Sequence, residues 1–241
     1  MASTWRRWKP RWRAWVPAPL PISRREVWLG AAGVGLGLVL TEWLSHQALD
    51  GINPWFIAPM SASAVLAFSV QASPLAQPWP VLGGNLLSAL IGVGCQRWLG
   101  HGGMVAALAA ALAVALMFTL RCPHPPGGAV AVTAVLGGSD IERLGFSFAL
   151  WPVATNSVII LALALLYHRV LGRRYPHQVA AGPHHASDPL PGPHNDLTEA
   201  DLDAALSSFH ELLDIDRDDL AEILARAQSH ALQRQGRSMP D

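Results

Sequence analysis

Residues 121–132 read RCPHPPGGAVAV, in which three prolines and two glycines lead into a short run of Ala and Val. Proline is tolerated in the first turn of a helix, because its missing N–H would be unpaired there anyway. The stretch predicts a helix over residues 127–138, about 18 Å long at 1.5 Å per residue. That is too short to cross a bilayer alone, so this helix is expected to be re-entrant or packed inside a bundle.

A second stretch, IAPMSASAVLAF at residues 57–68, has the same order of proline, small residues and short apolar helix. It lies in an apolar region over residues 55–70. Four longer apolar runs approach or exceed the roughly 20 residues that a spanning helix needs; they cover residues 27–49, 81–98, 103–120 and 146–168. We predict an all-α, polytopic membrane bundle of four full spans plus two short Pro-started helices. The short helices either re-enter or cross, and six crossings are preferred.

The order of these elements indicates an internal repeat. Each short helix follows a long apolar helix and precedes another that carries one asparagine near its start, Asn85 or Asn156. If each unit of three helices crosses three times, the second unit is inverted relative to the first. Inverted repeats that meet at short or broken helices are typical of transporters. Chance similarity between apolar sequences is the alternative.

Composition supports a membrane location. Of the 241 residues, 51% are hydrophobic and only 14% are charged, against about 25% charged in soluble domains. No charged side chain occurs between Asp50 and Arg97. These values exclude an ordinary soluble globule, and a net charge of zero argues against a nucleic-acid binder with a global basic field.

The positions of the basic residues predict the orientation. Seven of the 17 Lys and Arg residues lie in residues 1–25, and Arg169, Arg173 and Arg174 follow the last apolar run. Since cytoplasmic flanks are rich in Lys and Arg, both termini are predicted to be cytoplasmic, with the chain in the inner (plasma) membrane. Six tryptophans near segment ends predict an aromatic belt in contact with membrane lipids; they are Trp28, Trp43, Trp55, Trp79, Trp98 and Trp151.

The chain divides into four predicted parts. A basic, Trp-rich cytoplasmic tail covers residues 1–25, and it either lies on the inner leaflet or serves only to fix topology. The membrane domain covers residues 26–172, and a Pro/His-rich linker covers residues 173–197. Residues 198–234 are predicted to form a small cytoplasmic helical hairpin. This hairpin is acidic, and it packs on itself, on a second subunit of a homo-oligomer or on the basic tail.

The two proline-rich stretches resemble motifs of a known family. His124-Pro125-Pro126-Gly127-Gly128-Ala129 resembles the signature of the HPP family of integral membrane proteins, and residues 58–66 with 73–78 resemble its other motif. The resemblance covers about residues 25–172. It implies a multi-helix transmembrane domain that transports small solutes, and plastid and cyanobacterial relatives are implicated in nitrite movement. A small inorganic anion such as nitrite is therefore the expected solute.

The candidate solute site centres on the second proline-rich stretch. His124 beside Arg121 predicts a positive site, and the N–H groups of Gly127 and Gly128, which follow Pro126, are expected to act as donors to an anion. The alternatives are that His124 only satisfies a buried helix end and that Arg121 is an interfacial anchor.

Polar residues within the apolar segments extend this site. Ser61 and Ser63 are expected either to line a path or to bond back to helix carbonyls. Asn85 and Asn156 either contact solute or bond across the repeat interface. Glu42 is the one carboxylate inside a predicted span, and it is a candidate for proton coupling.

The sequence contains no recognisable nucleophile–base pair, phosphate loop or metal cluster. The chain is therefore predicted not to be an enzyme and to need neither cofactor nor metal. A transporter or channel-like protein for a small anion is the leading hypothesis. The alternative is a membrane scaffold or sensor whose acidic C-terminal helices bind a cytoplasmic partner.

Overall fold

A computed structural model describes residues 23–48 and 58–177, together with the separate positions 220 and 224. Within this part of the chain all regular structure is helical, which confirms the predicted all-α class. Most of the N-terminal tail, most of the Pro/His-rich linker and almost all of the predicted C-terminal hairpin lie outside the described residues.

Seven α-helices are present in the described ranges. Their bounds are α1 Arg24–Ala48, α2 Pro59–Ser69, α3 Asn85–Leu99, α4 Gly103–Thr119, α5 Pro125–Leu136, α6 Ser139–Leu144 and α7 Thr155–Val170. A π-helical turn precedes α3 at Pro80–Gly84, and another precedes α7 at Ala149–Ala154. The six predicted helices are therefore confirmed, whereas the short α6 and the 3₁₀ turn Pro74–Ala76 were not predicted.

Two of the helical segments, Arg24–Ser45 and Ala149–Val170, are long and apolar enough to cross a membrane. With its π turn, the third helix runs for 20 residues, from Pro80 to Leu99. The α4 helix has 17 residues, or about 26 Å at 1.5 Å per residue. The Pro-started helices are shorter, with 11 residues in α2 and 12 in α5.

Contacts between helix ends show that the six apolar helices alternate in direction. The α2 and α7 helices end side by side, with His168 Nε2 2.8 Å from the Ala67 carbonyl oxygen. The α3 and α5 helices begin side by side, since a Cβ on Gly84 would lie 2.7 Å from His124 Cβ. Tyr167 near the end of α7 donates to the carbonyl of Leu29 near the start of α1 at 2.6 Å. The Trp79 indole, just before α3, donates to the carbonyl of Leu120 after α4 at 3.2 Å. We call the end of the bundle that holds Arg24 and Val170 the proximal end, and the opposite end, which holds Leu99 and Leu136, the distal end.

The repeat units exchange their last helices. The α3 helix ends the first unit but packs mainly on α4 and α5 of the second, and α7 ends the second unit but packs on α1 and α2 of the first. We call α1, α2 and α7 the first trio, and α3, α4 and α5 the second trio. Each trio therefore contains helices from both predicted units.

Small residues allow close packing within each trio. A Cβ on Gly127 would lie 2.7 Å from Ser88 Oγ, and a Cβ on Gly37 would lie 2.4 Å from the Phe68 ring. Small residues let helix backbones approach closely in membranes. Close packing also holds for Gly30 and Gly33 of α1, whereas a Cβ on Gly35 would have nothing within 4 Å.

The distribution of polarity is that of a protein surrounded by lipid. Large apolar side chains face outward, with Leu36 57% exposed and Phe118 69% exposed. Serines, asparagines and histidines are buried inside the bundle. Since interior polar groups hydrogen-bond one another while the exterior is apolar, the bundle suits a hydrocarbon environment.

Candidate functional site

Four buried polar side chains from four different elements form one connected group, which we call the polar core: Ser63, Asn85, His124 and Ser157. Ser63 lies on α2, Asn85 begins α3, His124 caps the start of α5, and Ser157 lies in the first turn of α7. Their exposed fractions are 0% for three of them and 1% for His124. The polar core therefore lies inside the bundle, where the two trios meet.

His124 is held at both ring nitrogens. Its Nδ1 lies 2.9 Å from the carbonyl oxygen of Leu75, and its Nε2 lies 2.8 Å from Ser63 Oγ. A carbonyl can only accept, so Nδ1 carries the proton and Nε2 is free to accept from the serine hydroxyl. These two bonds satisfy a neutral imidazole.

Asn85 is only partly satisfied. Its Nδ2 donates to Ser63 Oγ and to Ser157 Oγ, at 3.2 Å in each case. The hydroxyl of Ser157 in turn donates to the carbonyl of Val153 at 2.8 Å. The Oδ1 atom of Asn85 is buried without a hydrogen-bond partner. A buried acceptor left unpaired costs about 1–3 kcal/mol, so a species that donates to Oδ1 would be bound favourably.

The loop between α2 and α3 supplies the carbonyl that orients His124. Ser73 Oγ accepts from the Leu75 N–H at 3.2 Å, which fixes the 3₁₀ turn. The Gln77 side-chain amide donates to the carbonyls of Gln71 and Ser73, each at 3.0 Å. The sequence presents the stretch Ser73–Pro78 only as a motif. In the structure it holds the Leu75 carbonyl toward His124, and we call it the arm that orients His124.

The start of α5 meets the second turn of α2, since His124 reaches Ser63, four residues after Pro59. Helix N-termini favour negative charge. However, the Gly127 N–H donates to the carbonyl of His124 at 2.8 Å. That N–H therefore has a backbone acceptor in this conformation, and its role as a donor to an anion stays a prediction.

Gly127 and Gly128 differ in their surroundings. Gly127 is packed against Ser88 and Gly84, whereas a Cβ on Gly128 would have nothing within 4 Å. Pro126, in the first turn, is buried. Of these three residues, which the sequence groups together, only Gly128 borders open space.

Other predicted site residues lie outside the polar core. Ser61 Oγ donates to the carbonyl of Ala58 at 2.7 Å, at the start of its own helix. Asn156 is buried and accepts from Ser45 of α1, which is a bond within the first trio. Ser157, the neighbour of Asn156, is the residue that joins the polar core. It was not predicted, although a hydroxyl directly after a span asparagine was a usable signal.

The two residues of fixed charge that were predicted for the site, Arg121 and Glu42, are exposed. Arg121 lies on the surface with φ of 56°, in the turn that follows α4. His124 is buried whereas Arg121 is exposed, so the two residues predicted to form one positive site differ in their surroundings. Glu42 is exposed on α1 rather than directed into the bundle.

Ser63 and His124 also stand at the distance of a nucleophile and its base, which the sequence did not predict. The oxygen of Ser63 is wholly buried and accepts from Asn85. A backbone carbonyl rather than a carboxylate orients the imidazole. Both cysteines are buried free thiols, and the described ranges contain no cluster of three or more metal-ligating side chains.

Comparison with known proteins places the chain among membrane proteins. Residues 19–176 match the family described as HPP, transmembrane region. A transmembrane protein of Dictyostelium discoideum is 34% identical over 163 residues, which cover 66% of this chain and 57% of that protein. A second from the same organism is 29% identical over 172 residues, covering 69% and 55%. The chain spans a little over half the length of these relatives, and no solved structure matches it.

Proposed function

Because the chain belongs to the HPP family of transmembrane proteins, we propose that it carries a small solute across the membrane. The first candidate for that solute is a small inorganic anion such as nitrite. The proposed binding site is the polar core, and the proposed role is transport rather than catalysis.

One observation carries this proposal: the hydrogen bonds within the polar core all cross between the trios. Ser63 and Ser157 belong to the first trio, whereas Asn85 and His124 belong to the second. The bonds join Ser63 to His124, Ser63 to Asn85 and Asn85 to Ser157. Rocking of one trio against the other would therefore break and remake these bonds, as alternating access requires of a central site.

The donors of the polar core suit an anion. The serine hydroxyls and the Asn85 amide can turn toward a bound anion without carrying charge themselves. The unpartnered Oδ1 of Asn85 needs a donor, which a protonated anion supplies and a bare anion does not. We therefore expect the anion to move together with a proton, which Nε2 of His124 can hold.

The proposed orientation has six crossings with the proximal end in the cytoplasm. Among the described residues, the proximal end carries six arginines, namely Arg24, Arg25, Arg121, Arg169, Arg173 and Arg174. The distal end has Arg97 and Arg143, together with two carboxylates, Asp140 and Glu142. The positive-inside rule places the arginine-rich end in the cytoplasm and the chain in the inner (plasma) membrane.

The test is uptake of nitrite by proteoliposomes that contain the full chain, with protein-free vesicles as the baseline. Near-neutral buffer keeps the uncharged acid, which leaks through lipid, scarce while it still supplies the proton that moves with the anion. We expect Ser63→Ala to lower uptake about fivefold or more, since one hydrogen bond of about 1 kcal/mol is lost at the site. Ser61→Ala is the matched control, because Ser61 lies on the same helix but bonds only its own first turn.

The other outcomes decide between functions. Sealed vesicles that take up neither nitrite nor other small anions would refute the proposal and favour the scaffold or sensor alternative. Equal uptake by the Ser63→Ala and Ser61→Ala variants would remove the polar core as the site. Covalent labelling of Ser63 by a fluorophosphonate would indicate catalysis by the Ser63–His124 pair instead.

A further inference from the structure

A second site lies at the proximal end, outside the polar core. A cavity of about 600 Å³ opens beside the end of α7. Its wall includes two leucines, three arginines and a tyrosine, namely Leu165, Leu166, Arg169, Arg173, Arg174 and Tyr175. This volume is in the range of small-molecule sites, and no part of the proposed transport mechanism uses it.

The three arginines are not equivalent. Arg173 is mostly buried and forms an ion pair with Glu26 in the first turn of α1. Arg169 and Arg174 are exposed on the cavity wall. Glu26 neutralises the charge of Arg173. The cavity therefore keeps a net charge of about +2, from Arg169 and Arg174, whose exposed side chains can move toward an anion.

Apolar surface adjoins this charge. Leu165 is 39% exposed, Leu166 is 59% exposed and Val170 is 75% exposed. All three lie on the last turns of α7, directly before Arg173 and Arg174. A ligand that fits both parts has an anionic head and a hydrocarbon body, whereas an inorganic anion or an acidic peptide would leave the leucines uncovered.

The cavity also has a firm base. The Tyr175 hydroxyl donates to the carbonyl of Ala76 at 2.7 Å, and the Tyr175 ring packs on His168 with ring centres 5.3 Å apart. The Gln77 side chain accepts from the His177 N–H at 2.9 Å. These contacts fix the segment after α7 against the arm that orients His124. The backbone that carries Arg173 and Arg174 is therefore held in place.

We propose that this cavity binds the headgroup of an anionic phospholipid, with Arg169 and Arg174 on the phosphate and an acyl chain along Leu165 and Leu166. Basic pockets at the membrane surface bind such headgroups. The site is independent of the transported solute.

The test is native mass spectrometry of the purified full chain, titrated with phosphatidylglycerol or phosphatidylcholine. We expect wild-type protein to retain phosphatidylglycerol preferentially. The double variant Arg169→Gln/Arg174→Gln should bind it about thirty-fold more weakly, at roughly fivefold per arginine near a charged headgroup. Arg143→Gln is the matched control, since Arg143 lies at the distal end and pairs with Asp140. Because Arg169 and Arg174 are exposed, the double variant should not disturb packing. Unchanged retention of phosphatidylcholine by this variant checks that.

Two further arms separate the sources of phosphate. Leu166→Ser should also weaken retention of phosphatidylglycerol, whereas a competing excess of inorganic phosphate should displace little of it. Displacement by inorganic phosphate at concentrations similar to that of the lipid would overturn the proposal in favour of a free-anion site. Equal retention of the two lipids by wild-type protein, or equal binding by the double variant and the Arg143→Gln control, would also overturn it.

Discussion

Gly92 of α3 lies directly against Ala131 of α5, so that a Cβ on Gly92 would stand 2.6 Å from the Ala131 carbonyl oxygen. The same Cβ would stand 2.6 Å from the Cβ of Ala134. These contacts involve backbone and a Cβ rather than the end of a flexible side chain, so they cannot relax cheaply. The position of α5 on α3, and hence of His124 beside Ser63, depends on this close approach.

We therefore expect Gly92→Ala to destabilise the protein, by about 1–3 kcal/mol for overpacking a well-packed interior. The measurement is thermal unfolding of the purified protein in detergent. Gly35→Ala is the control, because a Cβ on Gly35 meets nothing within 4 Å. That change should be neutral or stabilise by about 0.5–1 kcal/mol, as alanine in place of glycine does inside a helix. Equal stability of the two variants would show that α3 and α5 are packed less closely.

A substitution at Gly128 tests whether the solute passes beside the start of α5, because a side chain there would not disturb packing. A side chain at this position enters open space beside the start of α5. We expect Gly128→Leu to lower nitrite uptake by proteoliposomes severalfold while thermal stability stays near that of wild type. Gly127→Ala is the counterpart, because its Cβ would lie 2.7 Å from Ser88 Oγ, and it should lower stability. Normal uptake by Gly128→Leu would place the solute path elsewhere.

The sequence predicted the helices well because their signals are local. Apolar length and the position of proline set the bounds of α2 and α5, and the structure moves the predicted start of α5 only from residue 127 to Pro125. The short α6, by contrast, contains Asp140, Glu142 and Arg143, so it carries no apolar signal of its own.

The site was predicted less completely because it depends on contacts between distant segments. Ser61 and Ser63 look alike in sequence, but only Ser63 faces His124, which is 61 positions away. Arg121 and His124 are three positions apart, yet the turn after α4 leaves Arg121 at the surface. The exchange of α3 and α7 between the repeat units decides these neighbours, and no local pattern encodes it.

His101 gives the loop between α3 and α4 a dependence on pH. The Val135 carbonyl, which accepts from Nδ1 at 3.2 Å, and then Glu142, 3.3 Å from Nε2, raise the pKa of His101 above its usual 6.5. Because the pKa of His101 is higher in the folded than in the unfolded state, the protonated ring stabilises the fold. This stabilisation is complete below pH 6.5 and is lost as the pH rises through the pKa of the folded state.

Wild-type protein should therefore lose more thermal stability between mildly acidic and alkaline pH than His101→Gln does. The difference should be small, because the site is exposed to solvent and its ion pair is screened. Glu142→Gln should reduce this pH-dependent loss of stability without abolishing it, since the Val135 carbonyl still favours the charged ring. Parallel pH profiles for wild type and His101→Gln would contradict this account.

The alternating directions of the helices predict which residues face each side of the membrane. Arg121 lies at the proximal end with Arg24, because Trp79 joins Leu120 there and Gln77 joins His177. Arg97 lies in the last turn of α3, at the distal end. If the short helices re-entered instead of crossing, Arg97 and Arg121 would exchange sides relative to Arg24.

We expect a membrane-impermeant maleimide to label Arg24→Cys and Arg121→Cys from one side of sealed vesicles and Arg97→Cys from the other. The background replaces Cys95 and Cys122 with alanine, although both are buried and should react slowly. Permeabilised vesicles, in which all three positions should react, provide the control for accessibility. Labelling of Arg97→Cys together with Arg24→Cys would reject six crossings. The inverted relation of the two predicted repeat units would then have to be abandoned as well, because it requires each unit to cross the membrane three times.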